Sequence, residues 1–205
     1  TDLGLPRRMH PADRLAEQYE VLAYHFAKGE AWSKALTYFC QAAEKAAQAF
    51  ATREAVALYD QALEAAGHLG QAMDVQTVMA IHQARANLYF ILSDFKSSRA
   101  EGERLLALAR RAGDRGREAI ALAGMGMASA RGHDFDRGLA EARPAIAIAR
   151  EIEATPVLAG GYFTSGLVHA VTGHLDAARE GIDLAITSSR SGGEVVYQSF
   201  ALFFA

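Results

Sequence analysis

Residues 93–98 read Ser-Asp-Phe-Lys-Ser-Ser, and residues 133–138 read His-Asp-Phe-Asp-Arg-Gly. A third and looser copy, Gly-His-Leu-Asp-Ala-Ala, occupies residues 173–178. Each copy joins a short turn to the start of a helical pattern. A period of about 40 residues is typical of stacked helix pairs, because one pair alone leaves an apolar face that only a neighbour can cover. These segments predict an all-α, right-handed superhelical solenoid of antiparallel helix pairs.

Four further kinds of position repeat with this period. Small residues that let two helices cross closely are Ala86, Gly126 and Gly166, and again Ser98, Gly138 and Ala178. Large apolar residues that would fill the gap after the turn are Phe95, Phe135 and Leu175. Apolar residues that complete the register are Leu106, Ile146 and Ile186. Arginines that can bond the last carbonyls of a helix and complement its dipole are Arg110, Arg150 and Arg190.

The composition also favours helices. Alanine, the strongest helix former, supplies 43 of the 205 residues, and only four residues are proline. A chain with 51% hydrophobic residues can bury enough apolar surface to fold, so intrinsic disorder is excluded. The single cysteine, Cys40, excludes a disulfide scaffold, and we interpret it as a small buried residue.

The charge and the hydropathy of the chain limit the classes of partner that it is expected to bind. The formal net charge is −3 and the isoelectric point is about 6.1, whereas nucleic-acid binding calls for a basic face. No apolar run reaches the roughly 18–20 residues that span a bilayer, so neither nucleic acid nor a membrane is expected. The chain opens without methionine or a signal-peptide pattern and ends on an apolar segment, and we interpret it as a piece of a larger cytoplasmic, bacterial protein.

The helical pattern divides the chain as follows. We predict helices at 12–28, 31–49, 52–66, 74–92, 95–112, 115–131, 135–152, 157–172, 175–190 and 194–204. We expect one repeat domain over 1–205, made of N-terminal helices over 12–66, three repeats over 74–190 and the start of a further repeat over 194–205. The last helix is apolar, and we expect it to pack back or to form a homodimer with a second copy.

The N-terminal residues carry a sharper pattern. Leu22, Ala23 and Phe26, followed by Ala35, Phe39 and Ala42, have the spacing of a tetratricopeptide (TPR) repeat. A second partial match begins at Ala55, only half a period after Ala35, and we interpret this as an irregularity of the repeat. Residues 16–63 resemble the start of the C-terminal TPR region of bacterial fusion proteins. In those proteins an adenylate/guanylate cyclase domain and an AAA/STAND-type ATPase precede the repeats.

The resemblance implies a non-catalytic interaction or sensor module of a signalling protein, which docks a peptide, a protein or the parent's own ATPase or cyclase domains. The alternative that it leaves open is the sensor region of a STAND-ATPase transcription activator. The sequence contains no Gly-x-x-x-x-Gly-Lys-Ser/Thr loop, so cyclic-nucleotide synthesis would belong to the parent protein and not to this chain. No cofactor is expected.

The predicted binding surface is the groove formed by the first helix of each pair. Its candidate residues are Tyr24, Gln83, Asn87, Phe90, Met127, Arg131, Phe163, Leu167 and Val171. Asn87 stands where some TPR proteins hold a peptide carboxylate, but the matching lysines and arginines are absent. The mixed, fairly apolar groove favours an amphipathic helix or another domain. The alternative is that these residues only pack against the next repeat.

Catalytic and metal chemistry find little support. His169 and His174 are five residues apart, but no cysteine or glutamate stands at ligand spacing, so no metal site is predicted. Cys40 could act as a nucleophile only with a nearby base such as His25. We therefore expect no enzyme activity from this chain.

Overall fold

The computed structural model describes residues 18–192, which form nine α-helices, one short 3-10 turn and no strand. The helices are Tyr19–Lys28 (α1), Trp32–Gln48 (α2), Thr52–Leu69 (α3), Val75–Ile91 (α4), Phe95–Ala112 (α5), Arg115–Arg131 (α6), Phe135–Glu151 (α7), Thr155–Val171 (α8) and Leu175–Gly192 (α9). Their bounds confirm the prediction to within three residues from α2 onward. The predicted start of the first helix and the predicted helix 194–204 lie outside the described residues.

The chain divides into two compact units, Thr1–Ile81 and His82–Ala205, and the division falls inside α4. The N-terminal unit contains α1 to α3. The C-terminal unit contains α5 to α9 together with α4 from His82 onward. The expectation of a single domain over 1–205 stays a prediction.

A left-handed residue marks the turn before each helix of the C-terminal unit. These helices begin at even intervals, each of one helix and its turn, at Phe95, Arg115, Phe135, Thr155 and Leu175. The residues with positive φ are Ser93, Gly113, His133, Glu153 and Gly173. In each turn the backbone N–H of the residue after the left-handed one donates to the carbonyl five residues before it, as from Asp94 to Tyr89 at 2.9 Å. This arrangement ends one helix and satisfies its last carbonyls before the next helix starts.

Aspartates then cap three of the new helices. The side chains of Asp94, Asp114 and Asp134 accept hydrogen bonds from the backbone N–H three residues on, at 3.0, 2.9 and 3.3 Å. A carboxylate at this position also faces the positive end of the helix dipole. The repeated turn therefore ends one helix and begins the next within a single short segment.

The N-terminal unit follows the same helix-to-helix spacing. Helices α2 and α3 begin at Trp32 and Thr52, and three extra residues, Gly70–Ala72, form the 3-10 turn that precedes α4. The interpretation of Ala55 as an irregularity is therefore wrong, because half a period is the length of one helix with its turn. The irregularity is the 3-10 turn. Both helices bury the same small–aromatic–small pattern: Ala35, Phe39 and Ala42 in α2, and Ala55, Tyr59 and Ala62 in α3.

The small register positions confirm the predicted close crossings. A Cβ placed on Gly126 would lie 3.0 Å from the Gly138 carbonyl oxygen, so α6 and α7 touch through backbone. In the preceding pair the Ser98 hydroxyl donates to the Ala86 carbonyl at 2.8 Å. In the last pair the large apolar residue does not fill the gap after the turn as predicted, because Leu175 is 72% exposed.

In the C-terminal unit the pair formed by α6 and α7 stacks on the next pair through both of its helices, which contact α8. Helix α6 packs on its partner α7 and also on α8, the first helix of the next pair. The core cluster of the last pair consists of Tyr162, Phe163, Ile182 and Ala185. We call α4, α6 and α8 the first helices and α5, α7 and α9 the second helices of their pairs.

Candidate functional site

The first helices of the C-terminal unit present an exposed face that recurs with the period of the repeat. Ile91, Arg131 and Val171 occupy one register position, and all three are exposed, Ile91 at 67% and Val171 at 58%. One turn earlier, Asn87 is exposed, while its register equivalent Met127 is half-buried. We call the exposed side chains of these helices the first-helix face. It combines an amide, a guanidinium and aliphatic side chains.

Other predicted groove residues hold the repeats together. Phe163 is only 6% exposed and belongs to the core cluster with Ile182, and Met127 and Leu167 pack against that cluster. The Phe90 ring meets the Phe95 ring edge-on at 5.4 Å. Of these four groove residues Phe163 is buried and the other three are half-buried, so the predicted groove stays a prediction. Gln83 is half-buried.

The remaining candidate, Tyr24, lies in the N-terminal unit. The residue is 57% exposed, and the Lys28 Nζ atom lies 5.4 Å from the centre of its ring. Both residues line a cleft of about 310 Å³ with Trp32, whose indole stacks on the His68 ring at 3.8 Å. A groove that would join Tyr24 to the first-helix face stays a prediction.

Sequence reasoning missed a buried charge cluster between α4 and α5. The Glu101 side chain is 2% exposed, and its carboxylate accepts a hydrogen bond from His82 Nδ1 at 2.7 Å. The Arg85 guanidinium lies 3.2 Å from the same carboxylate, and Arg104 bonds to it from the solvent side. Burial raises the pKa of Glu101, but the His82 bond and the arginine charges outweigh it and hold that pKa below its usual value.

A second cluster lies one repeat later, at Glu141. Its carboxylate accepts a hydrogen bond from the buried Ser129 hydroxyl at 2.8 Å and one from Arg99 at 2.6 Å. Arg99 belongs to α5, so this bond ties the second helices of successive pairs together. Glu101 and Glu141 are one period apart, and that recurrence is the signal in the sequence that could have revealed both clusters.

The repeated arginines Arg110 and Arg150 lie in the last turn of their helices, where the predicted charge complements the dipole, but they bond to side chains. Arg110 Nε donates to the Glu118 carboxylate at 3.0 Å, and Arg150 Nε donates to the Tyr162 hydroxyl at 3.0 Å. Each arginine thus reaches a side chain of the following helix, because its side chain is long enough to cross the turn. The prediction that these arginines bond the last helix carbonyls is wrong for Arg110 and Arg150.

Arg150 also forms part of a cleft in the last pair. The cleft has a volume of about 330 Å³ and lies among α7, α8 and α9. It is lined by Arg143, Ile146, Arg150, Tyr162, Ser165, His169, Ala177, Glu180, Gly181 and Leu184. Its lining includes two guanidinium groups and one carboxylate.

Other chemistry in the described part of the chain is limited. Burial raises the pKa of Cys40 to about 11, with the Glu44 charge adding to the effect, so its thiol stays protonated at neutral pH. The rings of His169 and His174 meet edge-on at 5.8 Å, and among residues 18–192 no three histidine, cysteine or acidic side chains converge as metal ligands. No helix in that range is long and apolar enough to cross a bilayer.

The stacked pairs define the class of fold, a TPR-like helical repeat. The chain is similar to the crystal structure of aspartyl phosphate phosphatase F from Bacillus subtilis, with a TM-score of 0.71 and 18% identity over 93% of this chain and 52% of that one. It is also similar to BtubC from P. vanneervenii, with a TM-score of 0.66 and 19% identity over 88% of this chain and 71% of that one.

A third similar structure is a Podospora anserina kinesin light chain with TPR-like repeats, at a TM-score of 0.61 and 12% identity over 90% of this chain and 99% of that one. At these identities the likeness shows the fold. The chain spans about half the length of the phosphatase that it matches. No protein family and no curated protein matches its sequence.

Proposed function

We propose that this chain is a protein-interaction module that binds a partner on the first-helix face of its C-terminal unit. One observation supports this proposal above the others. Asn87, Arg131 and Val171 lie on three first helices and are exposed, although α8, which carries Val171, packs closely enough on its neighbours to bury Phe163. A side chain that packing does not need, on the same face of successive helices, is available to a partner.

The chemistry of this face fits a protein or peptide ligand. The Arg131 guanidinium can hold a carboxylate or a carbonyl, and the Asn87 amide can pair with a peptide group. Val171 and Ile91 add apolar contact, as an amphipathic helix or a domain surface requires. The described part of the chain needs no catalytic group for this role.

We further propose that the partner is the ATPase or cyclase part of the parent protein. The resemblance of residues 16–63 to the TPR region of ATPase-linked cyclases supports this context. A STAND-ATPase transcription activator would use the same face, with a DNA-binding domain as its effector. The gene on either side of the chain distinguishes the two. An upstream reading frame that lacks a nucleotide-binding loop would show both contexts to be wrong.

Binding to the purified remainder of the parent protein tests the proposal. The double variant Asn87→Ala/Arg131→Ala should bind at least about tenfold more weakly by calorimetry, since interfacial arginines are often hot spots and tenfold corresponds to about 1.4 kcal/mol. Arg179→Ala is the matched control, because Arg179 is exposed on α9, outside the first-helix face. Equal affinity of the double variant and the wild type would refute this role for the face.

A further inference from the structure

The two buried carboxylates belong to a register that breaks in the last repeat. Glu101 and Glu141 are followed, one further period on, by Gly181. The chain therefore supplies a carboxylate to this position in two helix pairs and none in the third. The cleft of about 330 Å³ lies beside Gly181, and Gly181 is one of its lining residues.

The groups that bind the two carboxylates have register equivalents in the cleft. Glu101 contacts His82 and Arg85, whose equivalents two periods on are Tyr162 and Ser165. Glu141 contacts Ser129, whose equivalent one period on is His169. Equivalents that line the cleft are Tyr162, Ser165 and His169. The cleft thus lies where the earlier repeats hold a carboxylate.

The wall contributed by α7 is cationic. Arg143 and Arg150 are both exposed, and within residues 18–192 Arg143 forms no ion pair. One repeat earlier, Arg99 on α5 lies 2.6 Å from the Glu141 carboxylate on α7. An arginine of one second helix thus already binds a carboxylate at this register position of the next second helix. The one carboxylate that lines the cleft, Glu180, is exposed on α9, so the two guanidinium groups leave the cleft net positive.

The chain itself cannot place a carboxylate at this register position. A Cβ added to Gly181 would lie 2.9 Å from the Cα and N atoms of Gly166, which are backbone of α8 and cannot turn away. A larger residue would therefore push α9 off α8. Residue 181 therefore cannot supply the carboxylate that Glu101 and Glu141 supply in the two earlier pairs, and the position stays open to a carboxylate of another molecule.

We propose that the cleft at Gly181 binds an acidic side chain of a partner protein. Arginine, histidine and serine side chains already bind protein carboxylates in the two preceding repeats, and planar guanidinium groups match a carboxylate in geometry and charge. The volume is at the lower end for ligand pockets, which suits one side chain of an extended segment better than a whole helix. The cleft shares no residue with the first-helix face, so the proposal is independent of the function proposed above.

An acidic peptide tests the proposal directly. The probe is a fluorescent, capped eight-residue peptide of alternating Gly and Glu, compared with a Gly and Gln peptide by anisotropy at fixed ionic strength. We expect the Glu peptide to bind and Arg143→Gln to weaken it about tenfold. Arg179→Gln removes the same charge from an exposed site on α9 outside the cleft and should change affinity less than twofold. Equal binding of both peptides, or equal effects of both variants, would overturn the proposal.

Free glutamate separates a small-molecule ligand from a protein segment. Competition by free glutamate at the concentration of the Glu peptide itself would overturn the assignment to a partner protein. A second measurement needs no peptide. Ala177 is half-buried and lines the cleft, so Ala177→Glu should melt higher than Ala177→Gln. That difference should vanish with Arg143→Gln, and a Glu variant no more stable than the Gln variant would contradict the proposal.

Discussion

Removal of the buried Glu101 carboxylate should destabilise the protein far more than removal of an exposed carboxylate would. In Glu101→Ala, His82 and Arg85 stay 8% exposed but lose the carboxylate that compensates their burial. Breaking a buried ion pair by deleting one partner costs about 3–5 kcal/mol. Arg104 adds little to this figure, because its side chain is 58% exposed and water screens it.

The expected shift is large enough to measure by calorimetry. At about 2–4 °C per kcal/mol for a chain of this size, Glu101→Ala should lower Tm by roughly 6–20 °C. Glu103→Ala is the matched control, because Glu103 lies on the same helix, also bonds to an arginine and is 51% exposed. It should lower the free energy of unfolding by less than about 1 kcal/mol. Equal shifts for the two variants would refute the reasoning.

The same cluster predicts a dependence on pH. The pKa of Glu101 is lowered in the folded protein, so its contribution is complete above the unfolded value of about 4.3 and is lost as the pH falls through the lower folded value. The free energy of unfolding should therefore fall on acidification below about pH 4.3. Glu101→Gln should lack this part of the decline. Parallel stability curves for the variant and the wild type would show that the carboxylate is not stabilised as described.

Two further predictions concern packing and reactivity. Gly126→Ala should destabilise the protein by about 1–3 kcal/mol in urea unfolding, because the new Cβ would press on the Gly138 carbonyl. Gly124→Ala is the control, because a Cβ at Gly124 would have no atom within 4 Å, and it should stabilise the protein by up to about 1 kcal/mol. The opposite order of the two stabilities would contradict the close crossing. Cys40 is half-buried and its pKa is raised to about 11, so it should resist iodoacetamide at pH 8 in the folded protein and react after unfolding. Rapid alkylation of the folded protein would contradict the raised pKa.

The helices could be predicted closely from the sequence because the turns carry local signals. Ser93 and His133 take up the left-handed conformation, and the aspartate after each caps the next helix. These effects act within six residues, so a single sequence reveals them. The 3-10 turn at Gly70–Ala72 carries no such repeat, and the shift in register there escaped prediction.

The site could be predicted less well, because burial depends on which helices meet. Phe163 and Val171 share one helix and the same apolar character, yet the first is core and the second is exposed. Glu101 and Glu141 have the pattern of a solvated face, and only the neighbouring helices bury them. The bonding partner of a long side chain also depends on which helices meet, since Arg150 bonds to Tyr162 on the following helix.

The Asp-Phe dipeptide at residues 94–95 and again at 134–135 has a consequence for the gene. Both copies stand at the same point of the turn, with the aspartate as cap and the phenylalanine as the first helical residue. A deletion or duplication that joins one copy to the other would remove or add one full period, and the joining turn would still read Asp-Phe. Such a change would alter the array by one whole helix pair and keep the capping aspartate and the first helical residue of the joining turn.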